Sequence, residues 1–204
     1  MQDLSVSQLR MYFDGTPQSA TLDFVLAQNH SQRVIAVRKA LDFACNLLEQ
    51  HKSKKQNFGE DQITLEICEM LQMAGFPAEH DTYVSGHSDI VIKGKDLFLW
   101  LAETKEHSSY TWLDKGFKQL STRYSTGVYG QDQGDIIIYC YISDAKSMLN
   151  KWKDELVARN RDVKISDEDT KTPLEFYSNH KHCASGIDFL IRHKAVAMHY
   201  SPDI

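Results

Sequence analysis

One stretch constrains the fold of this chain more than any other. Residues 135–142 read Asp-Ile-Ile-Ile-Tyr-Cys-Tyr-Ile and follow Gly134, so a glycine introduces an apolar run of strand length. A strand with one exposed face alternates polar and apolar residues. A run that lacks this alternation is typical of a strand that is buried on both faces. It therefore predicts the central strand of a sheet whose faces are covered.

The elements that precede this strand indicate the fold class. Apolar residues at helical spacing predict one helix that ends at Gly75 and another over about 111–124. Between them, three β-rich runs lie near 81–84, 89–92 and 97–103, and a turn joins the last two as a hairpin. The order helix, strand, strand, strand, helix, strand predicts an α/β fold, with an αβββαβ core and a mixed central sheet flanked by helices.

Further segments flank this core. Apolar positions three and four residues apart predict a long helix over 29–52, which we expect to pack on the same domain, with a dimer seam as the alternative. After the central strand, a helix carries Trp152, and β-like pieces follow near 174–177, 187–191 and 195–200. We divide the chain into an N-terminal helical segment over 1–58, a core over 59–160 and a C-terminal β-containing extension, packed on the core, over 161–204.

Charge and composition narrow the class of protein. The net charge of −5 argues against a protein that coats nucleic acid by bulk electrostatics, so any nucleic-acid role has to rest on a local site. No apolar run approaches the roughly 20 residues that cross a bilayer, and the polar start lacks a signal-peptide pattern, so we expect a cytoplasmic protein without a membrane partner. The four cysteines show no C-x-x-C spacing, and reduced thiols are expected.

Three ionisable residues stand at the end of the predicted hairpin. Asp89 begins one strand, and Glu103 and Lys105 end the next with a spacing that points both side chains to one face. Glu103 is expected opposite Asp89 or within about two residues of it. Two carboxylates at a buried strand end are costly unless a divalent cation bridges them, and Mg²⁺ suits such a site. A lysine beside the ion orients a water or neutralises charge on a phosphate. A solvated strand end with an ordinary ion pair is the alternative.

Asp89 followed by Glu103-Thr104-Lys105, in the order αβββαβ, resembles the PD-(D/E)xK nuclease superfamily, which has the restriction-endonuclease-like fold. The resemblance covers about 60–142, and the proline that is common before the aspartate is missing here. It implies a Mg²⁺-dependent phosphodiesterase, with Mn²⁺ as a substitute. By the resemblance, Asp89, Glu103 and the main-chain carbonyl of Thr104 bind the metal, and Lys105 orients the attacking water.

Many members of this superfamily add an acid from the first core helix and a glutamine or lysine from the later one. On a helical wheel Glu60 falls near the centre of the apolar stripe, Glu66 on its edge and Glu69 away from it. Glu60 is therefore the candidate catalytic acid and metal ligand, with a favourable charge at the helix N-terminus as the alternative. Gln119 resembles the glutamine of a Q-x-x-x-Y element and would orient the lysine or a phosphate, but Tyr124 lies five residues on rather than four.

The later helix also supplies candidate contacts to DNA. Its polar face carries Lys115, Lys118 and Arg123, with a charged solvated face as the alternative. By the resemblance the expected partner is duplex DNA. The acidic net charge suggests a homo-oligomer or a partner subunit that delivers DNA, as in bacterial restriction or anti-phage assemblies. Two other classes stay open: a non-catalytic nucleic-acid-binding or assembly module with this fold, and an unrelated α/β enzyme.

His180, His182 and Cys183 form a further cluster of metal-ligand residue types. A second ligand pair at zinc-like spacing is missing from the sequence, and nine histidines in the chain make such a cluster unsurprising. No zinc site is therefore predicted.

Overall fold

Seven β-strands form one mixed sheet in the computed structural model, which describes residues 4–84, 86–166 and 170–202, with only the backbone of Arg123 and Tyr124. The strands are β1 (Ala78–Tyr83), β2 (His87–Lys93), β3 (Leu99–Glu106), β4 (Gln133–Cys140), β5 (Lys164–Ile165), β6 (Glu175–Lys181) and β7 (Asp188–Ala197). Their order across the sheet is β1-β2-β3-β4-β7-β6-β5. The neighbours β3, β4 and β7 run parallel, and the other neighbouring pairs are antiparallel.

Six α-helices flank this sheet in the described ranges. They are α1 (Val6–Phe13), α2 (Pro17–Leu26), α3 (His30–Gln50), α4 (Glu60–Met73), α5 (Tyr110–Lys118) and α6 (Ala145–Arg159). A 3₁₀ turn, Lys52–Lys54, follows α3, and a π-helical turn, Gln119–Tyr124, continues α5. The helices α3 and α4 cover one face of the sheet, and α5 and α6 cover the other. The predicted α/β class, with a mixed sheet between helices, is confirmed.

The strand β4 is the central strand that the apolar run predicts, and it begins and ends two residues earlier than expected. Ile136 and Ile138 point into the core beneath α5 and α6, whereas Ile137 and Tyr139 point into the core beneath α3 and α4. All four side chains are fully buried. Because both faces of β4 are covered, its sequence has no alternation of polar and apolar residues.

The predicted hairpin is present as β2 and β3, in which Ile90 pairs with Ala102. The predicted helix over 111–124 is wrong in its second half, because α5 ends at Lys118 and the π-helical turn follows. In that turn the amide of Ser125 donates to the carbonyl of Leu120, five residues earlier, at 3.3 Å. A π-helical turn holds one residue more between hydrogen-bonded groups than an α-helix, so a periodicity of 3.6 residues does not reveal it.

The β-like pieces predicted near 187–191 and 195–200 belong to one strand, β7, which lies beside β4. In its middle Arg192, His193 and Lys194 have the polar character of a loop, yet all three are buried. Arg192 donates to Asp135 of β4 at 2.6 Å, so its charge is compensated inside the protein. The C-terminal extension thus adds three strands to the same sheet. Within the described ranges, no helix has the length and apolar character needed to cross a bilayer.

Candidate active site at the end of the β2–β3 hairpin

The hairpin brings the predicted acids together. The pairing of Ile90 with Ala102, continued by one residue, sets Asp89 opposite Glu103, and Lys105 follows on the same face of β3. The first residue of α4, Glu60, approaches the same point from the neighbouring helical layer, where its Oε1 lies 3.2 Å from Lys105 Nζ. The sheet and one helix N-terminus therefore meet at a cluster of three carboxylates and one ammonium.

The ammonium of Lys105 lies at the centre of this cluster. Its Nζ is 2.9 Å from Glu103 Oε1, 3.2 Å from Glu60 Oε1 and 3.9 Å from Asp89 Oδ2. It also donates to the carbonyl oxygen of Thr104 at 2.7 Å. The four groups that the resemblance and the helical wheel assign to a metal thus all surround this one ammonium.

Asp89 is held in place by the adjacent strand. Its Oδ2 accepts a hydrogen bond from the amide of Thr104 at 2.7 Å and another from the Thr104 hydroxyl at 2.9 Å. That hydroxyl lies 2.9 Å from the hydroxyl of Thr64, which belongs to α4. Because Oδ2 takes up both hydrogen bonds from Thr104, the orientation of the Asp89 carboxylate is fixed by β3.

Glu60 joins α4 to the end of β3. One oxygen contacts Lys105, and Oε2 accepts a hydrogen bond from the amide of Glu106 at 2.6 Å. The other two glutamates of the helix point elsewhere: Glu66 pairs with Lys55, and Glu69 is exposed. Of the three glutamates on this helix, the structure places Glu60 at the site.

Burial sets the electrostatics of the cluster. Glu103 is only 1 % exposed, and burial followed by the neighbouring Asp89 carboxylate raises the pKa of Glu103 to about 8, against the influence of Lys105. Burial alone would lower the pKa of Lys105, but the surrounding carboxylates of Glu103, Asp89 and Glu60 outweigh it and raise the pKa. Lys105 is therefore a protonated ammonium at neutral pH.

The helix α5 covers the site on one face of the sheet, and a glycine permits the helix to approach β3 closely. A Cβ atom at Gly116 would lie 2.8 Å from Lys105 Cγ and 3.4 Å from Glu103 Cγ. One turn earlier on the same helix, Trp112 stands with its ring centroid 5.4 Å from Lys105 Nζ. Neither residue was predicted at the site, and the signal that the sequence offered was a glycine inside a helix, four residues after an aromatic residue.

A cleft beside the site opens to solvent. Its lining residues come from the start of α4, the end of β3 and α5: Gly59, Glu60, Asp61, Gln62, Glu106, Ser108 and Trp112. A substrate that reaches Lys105 from this side passes Trp112 and the acidic start of α4.

The donor chemistry of the site fits a divalent cation of the Mg²⁺ type. Carboxylate and carbonyl oxygens are the ligands that this ion prefers. Oε2 of Glu103 is buried without a hydrogen-bond partner among the described residues, which leaves one lone-pair-rich oxygen for a ligand. The described residues contain no group of three or more His, Cys, Asp or Glu side chains arranged to hold an ion by themselves. Lys105 occupies the centre of the oxygen atoms in this arrangement.

The candidate DNA contacts on α5 have different surroundings. Lys115 lies beside the site, with Nζ 4.6 Å from the ring centroid of Trp112. Lys118 instead pairs with Asp114, four residues earlier, at 2.7 Å. The Arg123 side chain, also predicted to contact DNA, lies outside the described residues.

Gln119 begins the π-helical turn and lines a shallow pocket on the outer side of α5 together with Lys115 and Lys118. In such a turn, positions five residues apart lie one above the other along the backbone, as positions four apart nearly do in an α-helix. The separation of Gln119 and Tyr124 thus matches the local helix type. The Tyr124 side chain itself lies outside the described residues.

The histidine cluster near the C-terminus anchors a turn. Nδ1 of His182 accepts from the amides of Ala184 and Ser185 at 3.3 and 3.4 Å, and its Nε2 lies 3.2 Å from the carbonyl oxygen of Ser125. His180 packs against the ring of Phe117, and burial lowers its pKa to about 4. These contacts connect the β6–β7 turn to the segment that follows the π-helical turn.

No family model, no curated protein and no solved structure matches this chain. The geometry of the site is therefore the basis for assigning a function.

Proposed function

We propose that this protein is a metal-dependent nuclease of the PD-(D/E)xK type, which hydrolyses phosphodiester bonds in DNA with Mg²⁺ or Mn²⁺. One observation carries the proposal: Asp89, Glu103, Glu60 and the carbonyl of Thr104 converge within 4 Å of one buried lysine. The succession α4, β1, β2, β3, α5, β4 in a mixed sheet also agrees with the restriction-endonuclease-like fold.

Each residue of the site has a role in this proposal. Asp89, Glu103, the Thr104 carbonyl and Glu60 would hold the metal, which when bound would act as a Lewis acid and lower the pKa of a water. Asp89 is kept in position by its two hydrogen bonds from Thr104. Glu60 brings the N-terminus of α4 to the end of β3 through its hydrogen bond from Glu106.

Lys105 positions the attacking water and neutralises the negative charge that develops on the phosphate. Its raised pKa keeps it cationic, so electrostatic stabilisation suits it better than proton abstraction. Lys115, at the mouth of the site, is the candidate first phosphate contact. The roles predicted for Gln119 and Arg123 stay predictions. So do duplex DNA as the substrate, an oligomer or partner subunit, and a place in a restriction or anti-phage assembly.

A second candidate is a non-catalytic nucleic-acid-binding or assembly module with this fold. The contacts of Lys105 favour it to some degree, because an ammonium that touches four oxygen groups also serves as a structural counter-ion. The two candidates differ in whether the cluster takes up a metal.

Cleavage assays with and without Mg²⁺ or Mn²⁺ test the proposal. Purified protein is incubated with supercoiled plasmid, linear duplex and single strands, and Asp89→Asn is compared with Asp154→Asn, a change of an exposed aspartate on α6. We expect metal-dependent cleavage that Asp89→Asn abolishes and Asp154→Asn retains. Absence of cleavage of all three substrates, or full activity of Asp89→Asn, contradicts the nuclease proposal.

A further inference from the structure

Trp112 differs from the other tryptophans of the chain in its surroundings. Trp100 and Trp152 are fully buried in the two cores, whereas Trp112 is partly exposed and lines the cleft that leads to Lys105. A tryptophan ring at the mouth of a polar site offers an apolar, polarisable face to a ligand beside the charged groups.

Two ammonium groups lie near the ring of Trp112. Its centroid is 5.4 Å from Nζ of Lys105 and 4.6 Å from Nζ of Lys115. The close packing of Gly116 on the stem of Lys105 fixes the height of α5 above the sheet, and Trp112 lies one turn away on the same helix. The ring is therefore held beside the reacting position of the proposed nuclease and next to its first phosphate contact.

The charges around the cleft disfavour a substrate that is held through its phosphates alone. The lining includes Glu60, Asp61 and Glu106, and no lysine or arginine of the described chain is among its lining residues. Lys118, further along α5, is already paired with Asp114. An unpaired base can stack on an exposed aromatic ring, and this adds binding energy that a duplex, whose bases are already paired and stacked, does not obtain from the ring.

We propose that Trp112 stacks on an unpaired base next to the cleaved phosphate, so that the substrate is single-stranded DNA or a single-stranded segment within a duplex. The inference rests on the proposed nuclease function, and it replaces the duplex predicted from the sequence with an unpaired strand as the substrate. Lys115, whose ammonium lies 4.6 Å from the ring centroid, holds the adjacent phosphate.

Tryptophan fluorescence tests the contact directly. Because Trp100 and Trp152 are fully buried, quenching by an added oligonucleotide reports on Trp112. The titration uses an oligothymidylate of 12 nucleotides and a blunt duplex of equal length. Ca²⁺ replaces Mg²⁺ so that the strands are not cleaved. We expect strong quenching by the single strand and weak quenching by the duplex.

Variants of Trp112 measure how much the ring contributes to single-strand binding. Trp112→Leu should weaken single-strand binding about 5- to 100-fold, the range for loss of one base–aromatic stack, and Trp112→Phe should retain most of the affinity. Tyr110→Leu is the matched control, since Tyr110 is an aromatic residue of α5 that does not line the cleft. Thermal unfolding of each variant checks that the fold is intact.

The outcomes separate this inference from the nuclease proposal. Cleavage of duplexes that is unaffected by Trp112→Leu, or equal single-strand affinity of Trp112→Leu and wild type, overturns the stacking inference and leaves the nuclease. Quenching by the oligothymidylate without cleavage of any substrate in Mg²⁺ overturns the nuclease and supports Trp112 as the base contact of a binding module. Failure to bind any strand overturns both.

Discussion

Lys105→Met is the most informative single change, because it removes the ammonium and keeps most of the side chain. The stem of Lys105 packs beneath Gly116, and methionine fills nearly the same volume there. What the change removes is the positive charge among Glu60, Asp89 and Glu103. The variant therefore tests whether the metal and the ammonium compete for the same oxygen atoms.

The contact distances of the ammonium indicate how much stability the substitution should remove. At 3.2 Å from Glu60 and 3.9 Å from Asp89, the ammonium gains about 5 and about 4 kcal/mol of Coulomb energy at an effective dielectric constant of about 20, before desolvation is subtracted. Removing one partner of a buried pair costs about 3–5 kcal/mol net. For a chain of this length that is about 6–20 °C in Tm without metal. Since a metal no longer has to displace the ammonium, its affinity should rise about 10- to 100-fold.

The assay is thermal unfolding in EDTA and in a Mn²⁺ titration, with calorimetry for the Mn²⁺ affinity. Lys93→Met is the matched control, because Lys93 forms an exposed ion pair with Glu79 that contributes at most about 1 kcal/mol. We expect Lys105→Met to be unstable in EDTA, rescued by Mn²⁺, and inactive in cleavage. Equal Mn²⁺ affinity in wild type and Lys105→Met would refute the competition, and unchanged stability in EDTA would refute the buried ion cluster.

Three further predictions concern the acids of the cluster. Mg²⁺ or Mn²⁺ should raise the Tm of wild type, because the metal binds preferentially to the folded state. Asp89→Asn should lose most of this rise in Tm. An equal rise in both proteins would show that Asp89 does not bind the metal. Glu60→Gln should reduce the single-turnover cleavage rate, whereas Glu69→Gln, on the exposed side of α4, should not, and equal rates would assign Glu60 to helix capping. The pKa of Glu103 is raised from 4.5 to about 8, so between these two pH values the folded state binds more protons than the unfolded state. The unfolding free energy of the metal-free protein should therefore fall as the pH rises from 4.5 to about 8. Denaturant titrations at several pH values should show a flatter pH profile for Glu103→Gln than for wild type.

The site could be predicted from the sequence to the extent that strand geometry determines it. The spacing of Glu103 and Lys105 places both on one face of a strand, and the short turn of the hairpin brings Asp89 opposite them. The helical wheel singles out Glu60 in the same way. These inferences need only local periodicity and one turn, both of which are visible in the chain.

Other parts of the structure depend on distant partners and could not be read from periodicity. Arg192 in the middle of β7 interrupts an apolar pattern, and the acids that make its burial tolerable, Asp42 and Asp135, lie far away in the sequence. The roles of Trp112 and Gly116 depend on how closely α5 approaches β3, which no local pattern specifies. The π-helical turn likewise departs from the regular helical period.

Charge balance distinguishes the proposed metal site from the second buried ion cluster of this protein. The second cluster lies between α3 and the strands β4, β6 and β7, and its acids and bases are equal in number: Asp42, Asp135 and Glu175 with Arg38, Arg192 and Lys194.

In that cluster, burial alone would raise the pKa of Asp135, but Arg192 and Arg38 outweigh it and the pKa is lowered. At the end of the hairpin, three carboxylates share the single ammonium of Lys105, and the pKa of Glu103 is raised instead. In the metal-free protein, the proton that Glu103 keeps up to about pH 8 offsets part of this excess of acid. A divalent cation would replace that proton, which is the physical reason to expect a metal at this cluster and none at the charge-balanced Asp135 cluster.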